Sequence, residues 1–254
     1  MISLTGKAAL ITGGSRGIGA ATVKLFARAG ADIVFSYRTQ RAAARQLAQE
    51  SRKQGTRIES FKADLGRMAD AKRLVEFTRE RLGRLDILVA NAGIWNSEDA
   101  PVEKIPEREW DDMLRANLKS VYAVIHFAVP QMIEQGGGRI VALSSTAGQR
   151  GEAFHSHYAA SKGAIISFVK GLAAELARHN ILVNCVAPGW VDTEMSAPIL
   201  RTKSGAKWVT DAIPLKRVAT PEEIAGPVLF AASDLASFIT GEVINVNGGS
   251  VLCG

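Results

Sequence analysis

The sequence predicts one α/β domain: a doubly wound, Rossmann-type parallel sheet of about seven strands with helices on both faces. Three observations point there. Short apolar runs alternate with helical stretches seven times, with no composition break or linker, so residues 1–254 read as a single domain. The first strand run, 7–12, is apolar across its centre, AALI, rather than alternating, as a parallel strand covered on both faces is. It enters a glycine loop, TGGSRGIG, which opens a helix.

Strand 7–12 leads into helix 17–29, closed by Gly30 as a C-terminal cap. Strand 32–37 is followed by a polar, Ala-rich helix over 40–54, with Gly55 at its end. Strand 57–63 precedes Asp64, and a helix covers 68–82. Strand 87–90 delivers Asn91, Ala92 and Gly93. One long helix is expected over 107–133, bent in its last turn by Pro130. Strand 139–143 delivers Ser144 and Ser145, and the next helix ends near His179. Strand 181–187 leads to Pro188 and Gly189.

The stretch 191–214 is polar and irregular, with room for short helices. A connection that long often serves as an active-site lid. Thr220-Pro-Glu-Glu then starts a helix, with Thr as N-cap, Pro in the first turn and acids at the positive end of the dipole. Strand 242–246 ends at Asn247-Gly-Gly. In such folds ligands bind beyond the carboxyl ends of the strands. The glycine loop, Asp64, the Asn91 turn, Ser145 and Pro188 therefore converge on one edge.

Composition narrows the function classes. Net charge is +6, but no Lys/Arg run is long or interleaved with aromatics, so the excess reads as a basic surface and not a nucleic-acid groove. The 24 glycines cluster at turns, which marks them as positional. The two cysteines are Cys185, in an apolar run and expected to be buried, and Cys253; neither points to a metal site or a disulfide framework. No apolar leader opens the sequence and no stretch approaches a membrane span, so a soluble cytoplasmic protein is the expectation.

The glycine loop has the context of a phosphate site: a strand before it, a helix N-terminus after it, and glycines for close backbone approach. Its spacing, Gly13-x-x-x-Gly17-x-Gly19, differs from the Gly-x-Gly-x-x-Gly of many dinucleotide folds, and an ordinary glycine-rich turn is the alternative. The second strand ends Ser36-Tyr37-Arg38, with no acid for the ribose of NAD. Arg16 lies within the loop. Two arginines flanking one phosphate favour NADP, although Arg38 alone also reads as a solvated loop charge.

Tyr158 and Lys162 stand four residues apart, on one face of a helix. An ammonium beside a phenol is expected to lower the tyrosine pKa, which suits it to give or take protons. His155 and His157 precede it and are candidates to line the pocket; loop histidines are more often solvated, and both are left outside catalysis.

Taken together, TGGSRGIG, Asp64-Leu65, NAG, Asn117, Ser145, YAASK, PGWVDT and ITGEVINVNGG resemble the short-chain dehydrogenase/reductase family over nearly the whole chain. Ala90 is one departure, where many members have a second Asn. The resemblance implies that Tyr158 gives a proton to a carbonyl oxygen, that Ser145 hydrogen-bonds that oxygen, and that Lys162 binds the nicotinamide ribose. It implies that Asn117 holds a water in a proton relay. For the cofactor, NADP(H), it implies contacts from Gly13, Ser15, Arg16, Gly17, Ile18 and Gly19 at the phosphates, and from Tyr37 and Arg38 beside them. Asp64 and Leu65 would lie at the adenine, and Asn91, Ala92 and Gly93 on the adenosine side. Tyr158, Lys162, Pro188, Gly189, Val191 and Thr193 would lie at the nicotinamide end.

The resemblance is nearest to 3-oxoacyl-(acyl-carrier-protein) reductases, and it implies a homotetramer and an acyl-carrier-protein partner. Against that partner stands the turn Glu134-Gln-Gly-Gly-Gly, where such reductases often carry basic residues; Arg178 and His179 keep part of the patch. The alternatives are an NADP-dependent reductase of a small free ketone, sugar or other alcohol, and a catalytically silent NADP-binding regulator. Leu114, Val121, Val124 and Ile125 are compatible with core or interface.

Overall fold

The first strand shows how burial on two sides builds the sheet. In the computed structural model, which describes residues 2–52 and 55–253, β1 (Ala8–Ile11) is fully enclosed. Its Leu10 packs on one face with Val124 and Ile165, while Ala9 and Ile11 pack on the other with Phe26, Leu47 and Ile224. This is why the strand carries no polar alternation. The other strands are β2 (Asp32–Tyr37), β3 (Ile58–Lys62), β4 (Ile87–Ala90), β5 (Gly138–Leu143), β6 (Ile181–Pro188) and β7 (Val243–Val246). They form one sheet in the order β3-β2-β1-β4-β5-β6-β7, every neighbouring pair parallel.

Helices α1 (Gly17–Arg28), α2 (Arg41–Ser51) and α10 (Pro221–Ala231) cover the face around Phe26. Helices α3 (Met68–Leu82), α5 (Ser120–Glu134) and α7 (Ser156–Leu176) cover the face around Leu74 and Val124. Shorter helices are α4 (Glu107–Leu114), α6 (Thr146–Arg150), α8 (Ala197–Leu200) and α9 (Lys203–Ala212). The last two occupy the irregular stretch after β6. Thr220 caps α10 with a full capping box, its hydroxyl accepting from the Glu223 N–H while the Glu223 carboxylate accepts from the Thr220 N–H.

The helix expected over 107–133 is present, with one refinement: α4 passes through a π-helical turn, Arg115–Lys119, and runs on as α5 to Glu134. The extra residue rotates α5 relative to α4 by about 100°, so Val121, Val124 and Ile125 face the core while Asn117 faces the loop after β4. The short helix α6, between Ser145 and the helix of Tyr158, is an element that the sequence reading leaves unassigned. The expected end of α2 at residue 54 lies outside the described residues.

Phe26 is fully buried between α1 and the sheet. Phe26→Ala is therefore predicted to destabilise the fold by about 3–5 kcal/mol, read as a lower urea midpoint at unchanged slope; a shift under half of that would mean the α1 face is loosely packed.

Candidate active site

The order of the strands puts β1 beside β4, and the chain leaves the two in opposite directions, which opens a crevice at their carboxyl ends. The two loops are sewn together. Thr12, at the end of β1, accepts the N–H groups of Asn91 and Ala92, each at 2.9 Å. The Asn91 amide donates to the Thr12 carbonyl at 2.8 Å and to that of Gly13 at 3.3 Å. A Cβ on Gly19 would collide with the Gly13 carbonyl and lie 2.7 Å from the Asn91 amide nitrogen. Gly17 begins α1 with φ +51°, a conformation that glycine accepts without strain.

No side chain caps α1, and its first turn holds no acid. Its N–H groups and partial positive charge are therefore available to a phosphate. Ser15, Arg16, Gly17 and Ile18 line the cleft there, and Tyr37 and Arg38 line it beside them. Arg16 and Arg38 are exposed, and neither is in an ion pair among the described residues. Two unpaired guanidinium groups next to an uncapped helix fit a dinucleotide carrying an extra phosphate. Farther along, the Asp64 carboxylate accepts from Arg115 at 3.1 Å and from the Gly66 N–H, which fixes it at the cleft wall next to buried Leu65. The cleft holds about 720 Å³.

At the other end, α7 is fastened to β5. The Lys162 ammonium donates to the Leu143 carbonyl at 2.9 Å, and the Ser144 hydroxyl donates to the Lys162 carbonyl at 2.7 Å. One turn back, Tyr158 looks across at Ser145. The Ser145 hydroxyl accepts from the Ala147 N–H at the start of α6, so its own proton is free to donate. Gly93 lies against Asn117 and Lys162. These residues can protonate or deprotonate an oxygen held between Ser145 and Tyr158.

Electrostatics differ from the expectation. Burial pushes the Tyr158 phenol up to about 12, with nearby Glu152 adding to the rise and the Ser145 hydroxyl opposing it. Lys162 lies 5.9 Å from the phenol ring but does not pull this pKa down. Instead its own ammonium, 5 % exposed, is pushed down to about 8 by burial. In the protein alone desolvation outweighs the attraction, and Tyr158 stays protonated through the neutral range.

Asn117 is fully buried. Its amide oxygen accepts the Ile94 N–H at 2.7 Å, and its nitrogen donates to the Ile94 carbonyl at 3.0 Å and to Ser161 at 3.1 Å. The side chain is thus committed to positioning the loop after Gly93.

Pro188, Gly189, Val191 and Thr193 line the cleft at the end of β6. Of the two readings of the histidines, pocket-lining or solvated, solvation fails for both: His155 is 6 % exposed and His157 is fully buried, 3.4 Å from Glu109. His155 lines the cleft together with Trp95, Trp190 and Trp208. Sequence reasoning missed this wall and the Thr12 clamp. The tryptophans come from three separate segments, and no local spacing announces their meeting. Cys185 is buried in the core as expected, and among the described residues no cluster could hold a metal ion.

Comparison with known proteins agrees with this geometry. The family model described as enoyl-(acyl carrier protein) reductase matches residues 13–250. A 3-oxoacyl-(acyl-carrier-protein) reductase of Thermotoga maritima is 38% identical over 98% of this chain and 99% of its own. That of Aquifex aeolicus is 39% identical over 98% of each. A dehydrogenase/reductase from Sinorhizobium meliloti superposes with a TM-score of 0.92 at 34% identity, over 98% of this chain and 97% of that one. A structure assigned as an NAD(P)-dependent gluconate 5-dehydrogenase of Beutenbergia cavernae, with NADP bound at low occupancy, gives a TM-score of 0.91 at 36% identity over 98% of each chain.

The close approach at Gly19 gives a test. Gly19→Ala is predicted to keep the circular-dichroism spectrum and to weaken NADPH binding at least about tenfold, followed by fluorescence titration. Unchanged affinity would mean that the glycine loop does not shape the phosphate site.

Proposed function

The chain belongs to the short-chain dehydrogenase/reductase family, and from that premise we propose that it is an NADP(H)-dependent reductase of 3-oxoacyl thioesters, carried on acyl carrier protein. As a family member it is an oxidoreductase acting on CH–OH groups. The observation that carries the reading is the juxtaposition of Ser145, Tyr158 and Lys162 at the inner end of a cleft whose outer end has two free arginines and an uncapped helix. Relatives that are 38% and 39% identical over nearly the full length, named as such reductases, support the thioester.

NADPH, held between the glycine loop and Lys162, would supply the hydride for the carbonyl carbon. Charge then grows on the substrate oxygen, where the hydroxyls of Ser145 and Tyr158 donate. Tyr158 hands over its proton as general acid, and its high pKa keeps it loaded for reduction. Lys162 uses one N–H on Leu143 and keeps two for the ribose hydroxyls. Its charge offsets the phenolate left behind. Asn117 holds the loop at Ile94 in register; with both ends of its amide taken, the relay water proposed for it would be held by its main chain.

A second reading, reduction of a small free ketone or sugar, is favoured by the turn after α5. Glu134 there is exposed and only loosely paired with Arg79 at 3.6 Å, so this turn presents an acidic carrier with a carboxylate in place of a basic residue, and Arg178 and His179 alone keep part of the patch. A homotetramer belongs to the same proposal; Tyr122, 43% exposed on α5 beside Phe168 of α7, supports a subunit contact there. So does a cytoplasmic location; no helix among the described residues is long and apolar enough to cross a membrane.

A screen of carbonyl substrates against NADPH and NADH, followed by absorbance, tests the reading. NADPH should win, and carrier-bound 3-oxoacyl substrate should beat a free ketone at low salt and lose that advantage as salt rises. An NADH preference would contradict the roles of Arg16 and Arg38, and no carrier advantage would favour the free ketone. The reduction rate is also predicted to fall as pH rises through about 8, because Lys162 loses its proton there while Tyr158 keeps its own. A rate flat from pH 7 to pH 10 (about two units past that pKa) would remove Lys162's charge from the mechanism.

A further inference from the structure

Four aromatic rings run in an unbroken chain along one side of the cleft, from the catalytic helix to the segment after β6. His155 stacks on Trp95, with centroids 5.1 Å apart and planes at 30°. Trp95 meets Trp190 edge to face at 5.7 Å and 89°, and Trp190 meets Trp208 edge to face at 6.0 Å and 83°. Each of the three indoles is held by a different device. The Ile94 backbone, just before Trp95, is clamped on both sides by the Asn117 amide. The Trp190 carbonyl accepts from the Ala219 N–H at 3.0 Å. Trp208 rides on α9.

The mouth beside these rings is apolar and uncovered. Trp208 is 60% exposed, Phe154 53% and Met195 38%, and all three line the cleft. Phe154 also holds φ +63°, an uncommon conformation for a bulky side chain, kept in place by its carbonyl accepting from the Ala100 N–H at 3.1 Å. Large apolar side chains gathered around one opening lose water contact favourably when a ligand covers them. Perpendicular indoles leave a right-angled corner in which a flat ring contacts one face and one edge together, the two arrangements aromatic pairs prefer.

We propose that the Trp95, Trp190 and Trp208 wall selects substrates whose reactive carbonyl carries a planar aromatic group, with the ring seated in the corner of Trp95 and Trp190 and covered from the α9 side by Trp208. This rests on the carbonyl-reductase reading and specifies the group beside the carbonyl, whether the substrate is a thioester or a free ketone. Both substrate classes are compatible with it, since a 3-aryl-3-oxoacyl chain and an aryl ketone present the same ring.

The test compares ethyl benzoylacetate with ethyl acetoacetate, which share the 3-oxo ester and differ in the ring. Affinity of the NADP+-saturated enzyme, which has no hydride to give the ester, is read by quenching of tryptophan fluorescence and checked by calorimetry, independently of turnover. The aryl ester is expected to bind at least about tenfold more tightly. Trp190→Ala is expected to abolish that preference, and Trp208→Ala, at an exposed position whose loss spares the core, to reduce it about threefold or more. Equal affinity for the two esters in the unmodified enzyme, or a preference that survives both substitutions, would overturn the proposal. Turnover answers a separate question: tight aryl binding with neither ester reduced would leave the wall standing and count against the proposed reaction.

Discussion

The site depends on how α7 is fastened to the end of β5. The Lys162 ammonium reaches the Leu143 carbonyl, and Ser144 reaches back to the Lys162 carbonyl. These two bonds lock the helix against the strand in register, and the register decides that Tyr158 faces Ser145. A third link runs the other way: Ser161 donates to the Tyr158 carbonyl and accepts from Asn117, which in turn holds Ile94. The catalytic helix, the π turn and the loop after β4 thus form one hydrogen-bonded unit. Burying an ammonium costs free energy, and its lowered pKa records that cost.

The same burial explains why the tyrosine behaves differently from its reading in the sequence. From an i, i+4 pair alone, attraction between ammonium and phenolate is the visible effect. The enclosure of both groups is a property of the fold, and it dominates in the protein itself, raising the phenol and lowering the amine. The consequence is directional: a loaded acid and a cation beside it suit proton delivery to a carbonyl oxygen.

Much of the architecture was legible because it repeats. The all-apolar runs at Ala8–Ile11 and Ile87–Ala90 announce strands covered on both faces, and glycines such as Gly30 mark where elements stop. The glycine loop, Ser145, Tyr158 and Lys162 were legible because each sits at a strand end or at helical spacing. What escaped was set by three-dimensional meeting. The π turn at Arg115–Lys119 has no periodic signature in a stretch that reads as one helix. Thr12 looks like the last residue of a strand, yet it holds two N–H groups of the neighbouring loop. Trp95, Trp190 and Trp208 are far apart in sequence, and only the topology brings them to one wall.

The central claim is that one phenol, presented by this fastened helix, supplies the reaction's proton. Its most direct test is Tyr158→Phe, with NADPH affinity and turnover measured on the same preparation. Cofactor binding is predicted to stay within about twofold of the parent and turnover to fall at least about a hundredfold, since the phenyl ring keeps the packing and lacks the acid. Turnover close to the parent's, with cofactor binding intact, would contradict it.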